Sequence, residues 1–152
     1  MEKVLNKFKM EVEAQSENES FVRGVVGAFA SQADPTLDQI NDIKTAVSEA
    51  VTNCIVHAYK KKGGTIFVEC ELFADQITIK IADNGVGIED ISKATEPFYT
   101  TAPEDERSGM GFTVMQSFMD NLSVNNNFGG GVLVEMTKFF TKEKAADLAS
   151  GE

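Results

Sequence analysis

Residues 66–81 constrain the fold more than any other stretch. Apolar side chains recur at Ile66, Val68, Cys70 and Leu72, and again at Ile77, Ile79 and Ile81, with Glu69, Glu71, Thr78 and Lys80 between them. A period of two predicts two strands, each with one face for a core and one for water. The four residues "FADQ" that separate them read as a tight hairpin turn, which makes the strands antiparallel. The apolar face of such a hairpin must be covered, and the cover must come from elsewhere in the chain.

Two amphipathic stretches supply it. "SENE", Ser16 to Glu19, has capping-box spacing and predicts a helix start, with Phe21, Val22, Val25, Val26 and Phe29 on the inner side. "ADPT" breaks this helix, and Pro35 with Thr36 and Gln39 opens a second. That helix is predicted to run to about Tyr59, with Leu37, Ile40, Ile43, Val47, Ala50, Val51, Cys54 and Ala58 facing inward. "KKKGG" ends it, cations first and glycines after. Upstream, Phe8, Met10 and Val12 alternate with Lys7, Lys9, Glu11 and Glu13. This is a half-buried strand whose edge invites pairing, in its own sheet or with a second copy.

Beyond the hairpin, residues 90–108 form a connection of the length usually reserved for function or mobility. "GMGF" then opens a short helix carrying Phe112, Met115, Phe118 and Met119, and a last hairpin follows: "LSVNN", the turn "NFGGG" and "VLVEMTKFF". The order predicts an α+β two-layer sandwich, a mixed, mostly antiparallel sheet covered on one face by helices. Residues 1–141 read as one domain and 142–152 as a tail. The order is not a βαβ series and the Walker glycine–lysine loop is absent, which argues against a Rossmann or P-loop nucleotide fold.

The bulk properties narrow the classes. A chain of 152 residues suits a single core. Its net charge of −10 argues against direct nucleic-acid binding, which needs a basic surface. No apolar run approaches the ~20 residues of a membrane span, and the first residues lack a signal core, so a cytoplasmic address is expected. Cys54 and Cys70 fall inside apolar patterns and read as buried free thiols. With His57 the only histidine, an ordinary His/Cys zinc site is not expected.

Four pieces carry chemistry. Glu49 and Asn53 stand four apart on the second helix and so share a face at the border of the apolar stripe. The amide oxygen of Asn53 suits a hard cation such as Mg²⁺. The Glu49 carboxylate suits orienting or deprotonating a hydroxyl. "DNGVG" follows a strand: Asp83 could accept a hydrogen bond from an exocyclic amine, and Gly85 and Gly87 allow close approach of a ring or phosphate. Gly109 and Gly111 flank Met110 at a helix start, where free amides favour anions, and Arg107 stands just before. The last piece is "GGG" in the final hairpin. Alone, each is an ordinary turn or solvated surface.

Together and in order, "EAVTN", "DNGVG" and "GMGF" resemble the boxes of the ATPase superfamily shared by gyrase, Hsp90, histidine kinases and MutL. "NESF", "DPTLDQINDIKTAVSEAVTNCIVHAY", "IADNGVGIEDISKATEPFYTT" and "ERSGMGF" look like the anti-sigma F factors within it, over about Lys3 to Phe140. The resemblance implies a Bergerat-type ATP-binding fold with a mobile lid. It also implies a homodimer that silences the sporulation sigma factor F, and a Mg²⁺- and ATP-dependent serine kinase acting on an anti-anti-sigma factor. ADP would be the product and a second bound state. By position, Glu49 matches the catalytic base, Asn53 the Mg²⁺ ligand and Asp83 the adenine-reading acid. Gly85, Gly87, Gly109 and Gly111 match the nucleotide and lid glycines, Arg107 the lid arginine and Arg23 a partner-binding arginine. Two positions depart: Val132 stands where a hydroxyl is expected, and Ala102 where a lysine is common. Three rivals stay open: a histidine kinase domain, a stress-response anti-sigma kinase and a non-catalytic anti-sigma binding module.

Overall fold

A computed structural model describes residues 3–87, 111–127 and 130–140. The elements run β1 (Asn6–Glu13), α1 (Glu17–Ala30), a 3₁₀ turn (Ser31–Ala33), α2 (Leu37–Asn53), a π turn (Cys54–Ala58), β2 (Thr65–Leu72), β3 (Gln76–Ala82), α3 (Gly111–Phe118), β4 (Asn121–Asn126) and β5 (Val132–Phe139). The five strands form one sheet in the order β1-β2-β3-β5-β4. All four pairings are antiparallel.

The register keeps the sequence alternation in phase across the whole sheet. Met10, Val68, Ile81, Val134 and Val124 form one rung; Phe8, Cys70, Ile79, Met136 and Leu122 form another. Both rungs lie on the helix side, where a slip of one residue would expose every member. Lys9, Glu69, Lys80, Glu135 and Ser123 share a rung on the other side, with Lys80 and Glu135 3.9 Å apart. The sheet is thus an α+β sandwich half, apolar under the helices and charged towards water.

The helices close over the apolar rungs. Val22, Val26, Phe29 and Ala30 of α1 and Ile43, Ala46, Val47, Ala50 and Val51 of α2 are buried in one core with the β2, β3 and β5 side chains. Phe29 meets Phe8 edge to face at 4.7 Å, an arrangement that aromatic quadrupoles favour. Cys54 and Cys70 are free and buried. Burial, helped by Glu69, pushes the Cys70 thiol up to about 12.

Several local expectations are corrected. Ser16 has helical backbone angles and its hydroxyl caps nothing; the Glu19 carboxylate binds Arg23 instead of returning to the cap. The second capping box does form: Gln39 N–H donates to Thr36 Oγ1 at 3.1 Å, and Thr36 N–H donates to Gln39 Oε1 at 2.8 Å. Phe21 and Leu37, expected inward, are 52% and 74% exposed. Leu37 is the first residue of α2, and Phe21 lies beside the fully buried Val22 on the side of α1 turned away from the core. Phe118, at the last position of α3, is also exposed. The long helix is α-helical only to Asn53; it continues as a π turn in which Tyr59 N–H donates to the Cys54 carbonyl at 3.0 Å. The left-handed turn that follows uses Lys60 and Lys61 as well as Gly63. Residues 90–108 and the tail 142–152 lie outside the described residues.

Candidate functional site

The capping box fixes where α2 begins, and so which residues reach its last turn. Ala50 and Val51 anchor that turn in the core while Glu49 and Asn53 stay half-buried on its flank. Gly111, the first residue of α3, lies against both. A Cβ placed there would be 3.2 Å from Asn53 Oδ1 and 3.4 Å from Glu49 Oε1. The fold therefore brings together Glu49, Asn53 and Gly111, which the sequence separates by some sixty positions.

Asp83 follows the last residue of β3 and is 3% exposed. Its N–H donates to the Val132 carbonyl at 3.0 Å, and Val132 N–H returns a bond to Asp83 Oδ1 at 3.1 Å. Gly85 N–H donates to the same oxygen at 3.0 Å, the local turn that aspartate side chains favour. Asn127 Nδ2 donates to the Asp83 carbonyl at 3.1 Å. The Gly85 and Val132 amides both bond Oδ1, and an ionised carboxylate has about four acceptor positions, so it can accept from a ligand as well. Burial pushes the Asp83 carboxyl above its ordinary range; the Gly85 and Val132 amides and the Cys54 thiol pull it back. The hydroxyl missing at Val132 thus leaves the backbone bond to Asp83 intact.

The π turn joins these two groups. Cys54 follows Asn53 directly and reaches Asp83. Four residues on, the Ala58 carbonyl accepts from Val86 N–H at 2.9 Å, and a Cβ on Gly85 would overlap that same carbonyl. Tyr59 then donates its hydroxyl to the Thr65 carbonyl and accepts from Asn84 N–H, both at 2.7 Å. Gly87 lies beside Asn126, whose Oδ1 would be 2.8 Å from an added Cβ. A side chain at Gly111 would crowd Asn53 and Glu49, while one at Gly85 or Gly87 would meet Ala58 or Asn126, so these glycines let the turn after β3 and the start of α3 pack closely around the site. Among the described residues no three His, Cys, Asp or Glu side chains are grouped to hold a metal ion. A cation at Asn53 would need its other oxygens from a ligand and water, as Mg²⁺ commonly does.

Arg23 lies apart from Asp83. Its guanidinium bonds Glu19 at 3.3 Å and Ser48 Oγ at 3.2 Å and lines a cleft of about 360 Å³ between α1 and α2, with Asn41, Lys44, Thr45, Ser48 and Glu49. Glu49 is thus shared between this cleft and the site beside Gly111. Arg107 and Gly109 lie outside the described residues, as does Ala102.

Sequence reading missed Cys54, Tyr59 and Asn127 as parts of the site, and gave "GGG" no individual role. Gly131 has φ +89°, and a Cβ there would overlap the Asp83 carbonyl and lie 2.7 Å from Asp83 Oδ1. Gly131→Ala is expected to combine backbone strain with overpacking, costing about 3 kcal/mol, roughly 6–12 °C in Tm. Denaturant unfolding and a nucleotide titration check it. An unchanged midpoint with unchanged nucleotide affinity would contradict this placement of Gly131.

The family of histidine kinase-like ATPase domains matches residues 12–138. An anti-sigma F factor from a Thermoanaerobacter species is 54% identical over 91% of this chain and 97% of its own length. One from Clostridium acetobutylicum is 54% identical over 89% and 94%. Among solved structures, the RsbU and RsbW domains of a Mycobacterium tuberculosis protein superpose with a TM-score of 0.61 at 16% identity, over 88% of this chain and 32% of that one. The catalytic domain of the histidine kinase ThkA gives 0.55 at 15%, over 88% and 97%. At such identities the likeness is one of fold, and it agrees with the sandwich described above. By sequence, the chain belongs to the anti-sigma F factor family, within the histidine kinase-like ATPase domains.

Proposed function

We propose that this chain is an anti-sigma factor that binds the sporulation sigma factor F and, with ATP and Mg²⁺, phosphorylates a serine of an anti-anti-sigma factor. The observation that carries the reading is the meeting of Glu49 and Asn53 at Gly111, with the buried Asp83 carboxylate held at Oδ1 by two backbone amides. Phosphoryl transfer asks a protein for positioning and charge neutralisation more than covalent chemistry. Asp83 would accept the exocyclic amine of adenine. Gly85, Gly87, Gly109 and Gly111 would admit the nucleotide, and Arg107 would meet its terminal phosphate. Asn53 Oδ1 would be the protein's ligand to Mg²⁺, which when bound neutralises phosphate charge. Glu49 would take the proton of the incoming serine hydroxyl as its oxygen bonds to phosphorus and the broken bond's electrons leave with ADP. The cleft beside Glu49 gives that serine an approach, and Arg23 on its wall would contact the partner.

The same reading makes the chain a cytoplasmic homodimer. Among the described residues β1 is an edge strand paired with β2 alone, so its outer backbone groups would be available for a second copy. No helix among the described residues is long and apolar enough to cross a membrane. Residues 1–141 would act as one unit, with 142–152 a tail outside it.

The test is transfer of labelled γ-phosphate to the purified anti-anti-sigma factor in Mg²⁺. Acid-stable label on a partner serine is the expected result. Acid-labile label would point to a histidine kinase reaction. Tight nucleotide binding with no label would make the chain a binding module.

A further inference from the structure

The turn that carries Asp83 is tied down from the helix layer. Three consecutive amides in it, those of Asn84, Gly85 and Val86, each have an acceptor: the Tyr59 hydroxyl at 2.7 Å, Asp83 Oδ1 at 3.0 Å and the Ala58 carbonyl at 2.9 Å. Two of these acceptors lie outside the turn, on adjacent residues at the end of the π turn that continues α2 beyond Asn53. The Tyr59 hydroxyl also donates to the carbonyl of Thr65, the first residue of β2, at 2.7 Å. Its ring stands over Gly64, where an added Cβ would overlap it. Lys60 and Lys61 then follow with φ 53° and 63°, a left-handed pair that residues with a Cβ seldom adopt. Backbone strain of that kind persists where the surroundings fix it, and it gathers at functional sites.

We infer that Tyr59 is a positioning residue for base recognition: its hydroxyl, bridging the Thr65 carbonyl and the Asn84 N–H, holds the turn so that the Asp83 carboxylate faces the exocyclic amine of adenine. An acceptor already turned to its ligand loses less freedom on binding than one that must be ordered. Asn84 is exposed, so water can take up its N–H when the hydroxyl is gone. The bond therefore supplies direction rather than relief of an orphaned donor. The inference rests on the reading of Asp83 as the adenine acceptor. Packing of the ring over Gly64 would serve every nucleotide alike, whereas this bond serves only a base with an amine to donate.

The experiment measures dissociation constants for ATP and for purine riboside triphosphate, which lacks the amine, in Mg²⁺. The proteins are wild type and Tyr59→Phe, each with its Tm. Wild type is expected to prefer ATP. Tyr59→Phe keeps the ring and removes the bridge, so ATP should bind about fivefold more weakly, the worth of one hydrogen bond, with the analogue unchanged. A second measurement needs wild type alone: hydrogen exchange at the Asn84 amide should be slow without nucleotide and slower still with ATP. Equal losses for both nucleotides, or a lowered Tm with the preference intact, would overturn the inference and leave Tyr59 as packing. An Asn84 amide that exchanges as fast as an unbonded one would overturn it too. If wild type prefers ATP and Tyr59→Phe keeps the same ratio, the inference alone fails. If wild type does not distinguish the two nucleotides, the Asp83 reading fails and the inference falls with it.

Discussion

Glu49→Ala is expected to slow phosphate transfer to the partner serine by about 10²–10⁴-fold, the usual worth of a positioned general base, while leaving nucleotide affinity nearly unchanged. The separation follows from geometry. Glu49 stands on the flank of α2 beside Gly111 and also lines the α1–α2 cleft, whereas the donors that hold Asp83 come from Gly85 and Val132. Removing Glu49 therefore empties the place where the hydroxyl proton would go and leaves the base-reading end untouched. Single-turnover transfer with saturating ATP reads the first effect, and calorimetric titration reads the second. Transfer at the wild-type rate would remove Glu49 from the mechanism. Loss of binding along with transfer would make it a ligand contact instead.

Asp83→Asn should abolish most of the stabilisation that nucleotide gives. Ligand at 100 times its dissociation constant adds ~2.7 kcal/mol, roughly 5–10 °C in Tm for a chain of this size. In the variant the amide oxygen can still receive the Gly85 and Val132 N–H groups, but the amide nitrogen is then a donor facing another donor, the adenine amine. The unliganded variant should fold about as well as wild type. Burial holds the Asp83 carboxyl above its ordinary range, so the charged form carries a folding cost at pH values above that raised pKa, relieved as the pH falls through it. A neutral amide avoids that cost. Thermal scans of both proteins with and without Mg²⁺ and ATP decide the matter. An undiminished shift in the variant would remove adenine from Asp83.

The parts of the fold that the sequence makes legible are those governed by periodicity. The alternation from Ile66 to Ile81 predicts β2, β3 and their turn, and the register of five strands follows the same period. Thr36 and Gln39 place the start of α2 because a capping box is local. What escapes is tertiary. Ser16 to Glu19 has the same spacing, yet Glu19 finds Arg23 a turn away, and composition cannot rank the two partners. Cys54 to Ala58 keep helical apolar spacing, so nothing in their types distinguishes a π turn from the α-helix expected through Tyr59. Leu37 and Phe118 are apolar but lie at helix ends, and Phe21 points away from the core although its neighbour Val22 is buried.

The candidate site divides in the same way. Glu49, Asn53 and Asp83 can be singled out because their residue types and order resemble those of a family. The contacts that make them one place, from Gly111 to Asn53, Cys54 to Asp83 and Gly131 to Asp83, join residues far apart in sequence. Between Gly130 and Gly131, only the packing beside β5 against the end of β3 identifies Gly131 as pressed on Asp83.

The central claim is that one nucleotide pocket runs from Asp83 to Asn53 under the glycines. Amide NMR of the labelled protein, titrated with ATP in Mg²⁺, tests it most directly. The predicted result is a saturable set of shifts at the backbone amides of Gly85, Gly87, Gly111 and Val132 and at the side-chain amide of Asn53. No shifts at saturating nucleotide, or shifts confined to the cleft around Arg23 and Lys44, would contradict it.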